Sequence, residues 1–185
     1  MKFKPGKIIK KFKAKNGKEV ILRYPKWEDL DDLLEYINHV VKNKAKISKQ
    51  TLVTREEEIK YLAEVFQKIE SGDAVYLFPE VDGKVIGNSC IERKKEDALK
   101  HVGGLGIGIR KEFTNLGIGT KLVKTLLELA KKELKLKMVT LKVFSNNEIA
   151  INVYKKCGFK EVGKIPKHIN YYGKYVDSII MVKEL

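Results

Sequence analysis

The sequence predicts an α/β (α+β) fold in one domain, a mixed and mostly antiparallel sheet with helices on both faces. Three observations carry this. A chain of 185 residues has room for one substantial core but not comfortably for two. Apolar residues recur at helical spacing in separate stretches, with strand-like apolar runs bounded by turn signals between them. These segments interleave in the order β-α-α-β-β-β-α-β-α-β-β, the alternation of a sheet covered by helices.

Residues 1–17 are lysine-rich and end in the turn signal Asn16-Gly17, so they read as a basic tail or edge hairpin before a domain over 18–185. EVILRY, 19–24, is a short strand. From Trp27 to Val41 the positions Leu30, Leu33, Leu34, Ile37, Val40 and Val41 predict a helix behind an acidic first turn. Thr54-Arg55-Glu56-Glu57 has capping-box spacing, and Ile59, Leu62, Ala63, Phe66 and Ile69 continue a second helix until Ser71-Gly72-Asp73.

AVYLFPE and KVIGNSCIER read as two strands joined at Asp82-Gly83. After the polar loop KKEDALK comes a third strand, HVGGLGIGI. Leu122, Val123, Leu126, Leu127, Ala130 and Leu134 mark a long helix, followed by the strand MVTLKVF. A short helix carries Ile149, Ala150, Val153 and Tyr154 up to a C-terminal Gly158. FKEVGKI and YVDSIIMV are two last strands around Tyr172-Gly173.

Composition narrows the class. Hydrophobic residues are 43% and charged residues 34%, and no apolar run approaches the ~18 residues of a membrane span. A soluble, cytoplasmic protein without a membrane partner is expected. Cys90 and Cys157 form no CxxC, and His39, His101 and His168 lack metal-ligand spacing, so neither a disulfide framework nor a metal is expected. The net charge of +14 suits a polyanion or a phosphorylated cofactor. Its lysines are dispersed in a thermophile-like, Gln-poor composition without an arginine cluster, which disfavours nucleic acid as a partner. Homodimerisation stays open.

The chemistry concentrates in LGIGIRKEFTNLGIG, residues 105–119, which begins and ends with the same four letters. The second copy lies between a strand and a long amphipathic helix. Glycine lets backbone approach a ligand, and a first helical turn offers unpaired N–H groups with a partial positive charge. Spacing excludes two familiar phosphate loops: Leu122 stands where a dinucleotide fold wants a third glycine, and Gly119-Thr120-Lys121 inverts the P-loop order. A simple helix cap and a ligand site fit this turn equally. The first copy lies inside a strand, where Gly103, Gly104, Gly106 and Gly108 mark a bulge, a crossing helix or a ligand approach.

Asn147-Glu-Ile-Ala150-Ile-Asn-Val-Tyr154-Lys-Lys-Cys-Gly158-Phe159 follows. From about residue 103 to 159 the chain resembles the acetyl-CoA-binding core of the GNAT N-acetyltransferase superfamily. That family's pattern is Q/R-x-x-G-x-G/A at a helix start, then a strand and N-x-x-A-x-x-x-Y-x-x-x-G-F. Every position of the second part matches; the first departs at Thr114, where the family has Gln or Arg.

The resemblance implies an acetyl-CoA-dependent N-acetyltransferase acting on a primary amine by direct attack. The acceptor would be a protein α-amine or lysine, or a small amine or polyamine. It also implies that backbone groups of Ile107, Gly108 and Ile109 face the pantetheine arm and thioester. Amides of Asn115, Leu116, Gly117, Ile118, Gly119 and Thr120 would grip the pyrophosphate. Lys121, Lys155 and Lys156 are candidates for the 3′-phosphate. Tyr154 would be the acid that protonates the departing sulfur, and Asn147 would fix the turn and the cofactor arm. Glu92 and His101 are candidate bases. The acidic groups Glu28, Asp29, Asp31, Asp32 and Glu56, Glu57, Glu58 read as first-turn helix charges. Tyr171, Tyr172 and Tyr175 flank the last turn, where similar enzymes shape the acceptor mouth, though cross-strand packing explains them as well. Two other functions compete: a non-catalytic coenzyme A-binding module, and a basic nucleic-acid-binding protein.

Overall fold

The computed structural model describes residues 3–185; Met1 and Lys2, from the basic N-terminal segment, lie outside the described residues. Ten strands and four α-helices form two sheets among the described residues. Strand β1 (Ile8–Lys13) pairs antiparallel with β2 (Glu19–Arg23), so the basic segment is an integral edge hairpin closed at Gly17.

AVYLFPE is not one strand but two, β3 (Ala74–Tyr76) and β4 (Phe78–Val81). KVIGNSCIER likewise divides into β5 (Lys84–Val85) and β6 (Gly87–Arg93). The hairpin bends at Leu77 and Ile86, both buried, and passes between sheets. Its outer part completes the four-stranded sheet β1-β2-β4-β5. Its inner part joins β7 (Val102–Ile109), β8 (Met138–Phe144), β9 (Lys160–Tyr171) and β10 (Lys174–Glu184) in the order β3-β6-β7-β8-β10-β9. The apolar period shows strand character but not which sheet each half joins.

Helix α1 (Leu30–Lys42) begins three residues later than the apolar spacing suggests. Trp27–Asp29 is a 3-10 turn instead, because Asp29 is drawn inward to accept from Arg23 Nη1 and Nη2 at 2.8 and 2.6 Å and from the Lys26 amide at 2.9 Å. Glu80 takes Arg23 Nε at 2.6 Å, leaving that buried guanidinium paired on two sides. Helix α2 (Arg55–Glu70) starts at the expected capping box, Thr54 Oγ1 accepting from Glu57 N and Glu57 Oε2 from Thr54 N.

Helix α3 (Ile118–Lys132) buries Leu122, Val123 and Leu126 in one core with β6, β7, β8 and helix α4 (Glu148–Lys156). Leu33 of α1 and Leu62, Val65 and Phe66 of α2 build a second core with Ala74, Tyr76 and Phe78. Successive residues of β6 serve different cores, Ile91 the first and Cys90 the second, as strand alternation requires. The helices therefore cover both faces of the larger sheet. None of the described helices is long and apolar enough to cross a membrane.

Candidate active site

The larger sheet has one parallel pair, and that pair comes apart. β7 and β8 are in register at Val102↔Met138, Gly103↔Val139 and Gly104↔Thr140, and pairing then stops although both strands continue. On its other edge β7 stays paired with β6 through Ile109. Residues 105–109 thus present main-chain donors and acceptors to a wedge that no described strand fills, and such groups need partners.

Just beyond the open end, the chain curls through Asn115 (φ 60°) and Gly117 (φ 83°) into α3. Gly117 is the N-cap and brings no side chain to the helix end; a Cβ there would meet nothing within 4 Å. No acceptor among the described residues takes the amides of Ile118, Gly119 or Thr120. Open space, three unmet donors and the positive end of a helix fit a diphosphate. Thr114 does not stand in for the family's Gln or Arg: its hydroxyl donates to the Lys111 carbonyl at 2.7 Å. Lys121 lies over the Phe12 ring, 4.3 Å from its centroid.

The NxxAxxxYxxxGF segment has a local physical explanation. Asn147 caps α4, its Oδ1 accepting from Ala150 N at 3.4 Å. At the other end Gly158, φ 87°, donates to Lys155 O at 3.0 Å, and Phe159 N donates to Tyr154 O at 3.1 Å, a Schellman termination. Such caps carry a hydrophobic contact across the turn. Here it is the edge-to-face pair of Tyr154 and Phe159, centroids 5.9 Å apart. Tyr154 is 7% exposed and its hydroxyl has no hydrogen-bond partner among the described residues. Burial, with Cys157 adding to it, pushes this phenol up to about 12.

Across β7 lies a cavity of roughly 230 Å³, bounded by Tyr36, Tyr61, Asn88, Cys90, Gly106 and Gly108. It explains part of the first LGIG. A Cβ on Gly108 would overlap the Tyr36 hydroxyl, and one on Gly106 would lie 3.3 Å from Cys90 Sγ. Gly103 answers to packing alone, because a Cβ would come within 2.6 Å of both Ile91 Cγ2 and Leu136 Cδ1. Asn88 Nδ2 donates to the Tyr61 hydroxyl at 3.1 Å. Desolvation, with Glu92 adding to it, pushes the Cys90 thiol up to about 12, so the sulfur facing this space stays protonated near neutral pH.

The rim joins distant segments. The Tyr171 hydroxyl donates to Lys44 O, and Tyr172 reaches Val41 O through its hydroxyl at 3.3 Å and Gln50 Oε1 through its amide at 3.1 Å. The last hairpin is thereby tied to the α1–α2 connection, whose residues Ile47, Ser48 and Lys49 border the cavity. Tyr175 is 67% exposed and takes no part in this tie.

The two candidate bases separate. Glu92 sits opposite Gly104, the last paired rung, with Lys68 Nζ at 3.1 and 3.0 Å from its two oxygens and the Tyr76 hydroxyl donating to Oε1. His101 is exposed beyond the closed end of the strands, its carbonyl accepting from Lys137 N, and the structure does not bring it to the wedge.

The acidic first turn of α2 is heterogeneous: Glu57 caps and Glu56 is exposed, but Glu58 is 4% exposed and its side chain makes no hydrogen bond to the described residues. Desolvation, with Glu57 adding to it and Lys49 opposing, pushes Glu58 up to about 7. Glu58, Leu62, Val65 and Ile69 share one buried face, so a charge on an apolar stripe was the available sequence signal. Tyr36 and Tyr61 were hidden as ordinary helix aromatics.

Known proteins share this family and fold. The acetyltransferase (GNAT) family profile matches residues 43–159. An N-alpha-acetyltransferase of Sulfurisphaera tokodaii is 30% identical over 180 residues, 93% of this chain and 97% of that protein. The L-amino acid N-acetyltransferase AaaT of Escherichia coli is 32% identical over 103 residues, covering 56% of this chain and 64% of that relative's length. The yncA acetyltransferase structure from Salmonella typhimurium, solved with acetyl-CoA, shares the fold with a TM-score of 0.80 at 20% identity over 90% of this chain and 94% of that one. The chain belongs to the GNAT acetyltransferase family and is an acetyl-CoA-dependent N-acetyltransferase.

Proposed function

We propose that this enzyme acetylates α-amines, those of amino acids or of peptide N-termini, by direct attack within the β7–β8 wedge. The observation that carries the reading is that cradle and cavity lie on the two sides of one glycine-rich strand, with Gly106 and Gly108 lining the cavity. Acetyl-CoA supplies an activated acetyl group. Amides of residues 118–120 hold its diphosphate, and the free edge of Ile107, Gly108 and Ile109 binds the arm and orients the carbonyl.

The cavity of roughly 230 Å³, roofed by tied segments, suits one residue of an acceptor better than a folded surface. An α-amine, near pKa ~8, also needs less help to lose its proton than a lysine near ~10.4. The names of the two relatives share this acceptor class. Direct attack is favoured over an acyl-cysteine route because the Cys90 thiol, held up to about 12, is not a ready nucleophile. Tyr154, also up to about 12, donates a hydrogen bond to the departing sulfur and yields its proton only as negative charge builds there.

Incubating the protein with acetyl-CoA and a panel of L-amino acids, Ala- and Ser-starting peptides, Nα-blocked lysine and spermidine, while following free thiol, tests the reading. Turnover is expected on free α-amines above the others. Preference for the blocked lysine or spermidine would overturn the acceptor class. Cofactor binding with no turnover on any amine would return the coenzyme A-binding module.

A further inference from the structure

The basic N-terminal hairpin has no part in the reading so far, yet it touches the cradle. Its loop, Lys15-Asn16-Gly17, is closed by Gly17 N donating to Ala14 O and Ala14 N donating to Lys18 O, both at 2.9 Å, with Gly17 left-handed at φ 83°. The Lys15 amide has no acceptor inside the hairpin. It donates instead to Leu116 O at 3.2 Å.

Leu116 O and the Gly117 N–H belong to one peptide group. In a trans peptide they point in opposite directions, so a bond that holds the carbonyl toward the hairpin turns the Gly117 N–H away from it. That N–H has no acceptor among the described residues and stands at the head of the free amides of Ile118, Gly119 and Thr120. The loop needs holding, because Asn115 (φ 60°) and Gly117 (φ 83°) are both left-handed. Thr114 bonds only within the loop, to Lys111, and among the described residues the Lys15 amide is the one hydrogen-bond donor that reaches residues 113–117 from another element. The hairpin is itself anchored: Phe12 and Leu116 pack against the same core as Ile118, and Lys121 covers the Phe12 ring.

We propose that Lys15, through its main-chain amide, is a positioning residue of the acetyl-CoA site. It fixes the Leu116–Gly117 peptide so that the Gly117 N–H joins those of residues 118–120 on the diphosphate, and the loop is ordered before the cofactor arrives. This rests on the reading of that turn as the diphosphate cradle. The Lys15 ammonium is a separate matter: Lys11 pairs with Glu19 and Lys18 with Asp82, but Lys15 is exposed without an ion pair among the described residues.

Two variants separate amide from ammonium. Lys15→Ala keeps the amide and loses the charge. Lys15→Pro loses the amide, at the second place of a turn that suits proline, and puts its ring where the Leu116 carbonyl now lies. Calorimetry with coenzyme A, melting curves, and kinetics with acetyl-CoA and with S-acetylpantetheine, which has no diphosphate, are compared on an Ala-starting peptide. Lys15→Pro should bind coenzyme A about tenfold more weakly and raise the KM for acetyl-CoA to match, with kcat kept. Its kcat/KM for S-acetylpantetheine should equal that of wild type, which a general loss of structure would not allow. Lys15→Ala should stay within about threefold of wild type on every measure.

Hydrogen exchange on wild type gives a reading that needs no variant. Coenzyme A should slow exchange at the Lys15 amide and leave the amides of β1 as they were, whereas pantetheine should slow none of them. Lys15→Pro with unchanged coenzyme A affinity would overturn the proposal. So would a Lys15→Ala loss as large as that of Lys15→Pro, an equal loss on S-acetylpantetheine, or a Lys15 amide that exchanges at the same rate with and without coenzyme A. If wild type binds pantetheine as tightly as coenzyme A, the cradle reading itself fails and takes the proposal with it; a wild-type preference for coenzyme A beside an unaffected Lys15→Pro sinks the proposal alone.

Discussion

The Tyr36 hydroxyl occupies the place where any side chain on Gly108 would begin. A helix on one face of the sheet and a strand that opens toward the acyl donor are thereby in direct contact, and one missing Cβ makes it possible.

Gly108→Ala should therefore displace Tyr36 and narrow the cavity without touching the α3 cradle. Lost turnover of at least tenfold is expected, with acetyl-CoA affinity held within about threefold, since the crowding falls on the acceptor side. Steady-state kinetics beside calorimetry measures the split. Equal loss of both would place the cavity on the cofactor path.

Tyr154→Phe keeps the edge contact with Phe159 and removes only a hydroxyl that has no partner among the described residues. Folding should be untouched, and turnover should fall roughly 10–100-fold with cofactor affinity unchanged. An unchanged turnover number removes Tyr154 from the mechanism.

Gly158→Ala probes the cap that holds Tyr154. At φ 87° an alanine pays about 1–2 kcal/mol of left-handed strain. The Lys183 ammonium, 2.8 Å from the new Cβ, can swing away and adds little. Chemical denaturation should show a loss of that size. No loss would mean that the Schellman turn is not what ends α4.

Glu58 should also leave a mark on stability. Folded, its carboxyl keeps a proton up to about 7; unfolded, it releases one near ~4.3. Between those values the native state binds more protons than the unfolded chain, so this group's contribution falls as pH rises. Relative to wild type, Glu58→Gln should gain stability, read as a rising difference in melting temperature, between pH 5 and pH 8. A constant difference across that range would show that Glu58 titrates normally.

What the sequence shows and what it hides follow from the range of the forces involved. The Asn147-to-Phe159 segment is legible because cap, helix and Schellman turn are local events set by residues within a dozen positions. The wedge is not, since where β7 leaves β8 depends on pairing between strands that α3 separates in the chain. The hairpin that crosses between sheets at Leu77 and Ile86 is hidden for the same reason. Glu58 lay in plain view among three glutamates, but only tertiary burial distinguishes it from Glu56 and Glu57. Glycines in a strand signal a close approach without saying of what: at Gly103 it is core side chains, at Gly108 a tyrosine from the opposite face.

The most direct measurement is an amide NMR titration of the 15N-labelled protein with coenzyme A. Shifts should concentrate at Ile118, Gly119 and Thr120 and along the free edge of β7 at Ile107, Gly108 and Ile109, with β1 silent. Saturable binding that leaves those amides unmoved would contradict the account.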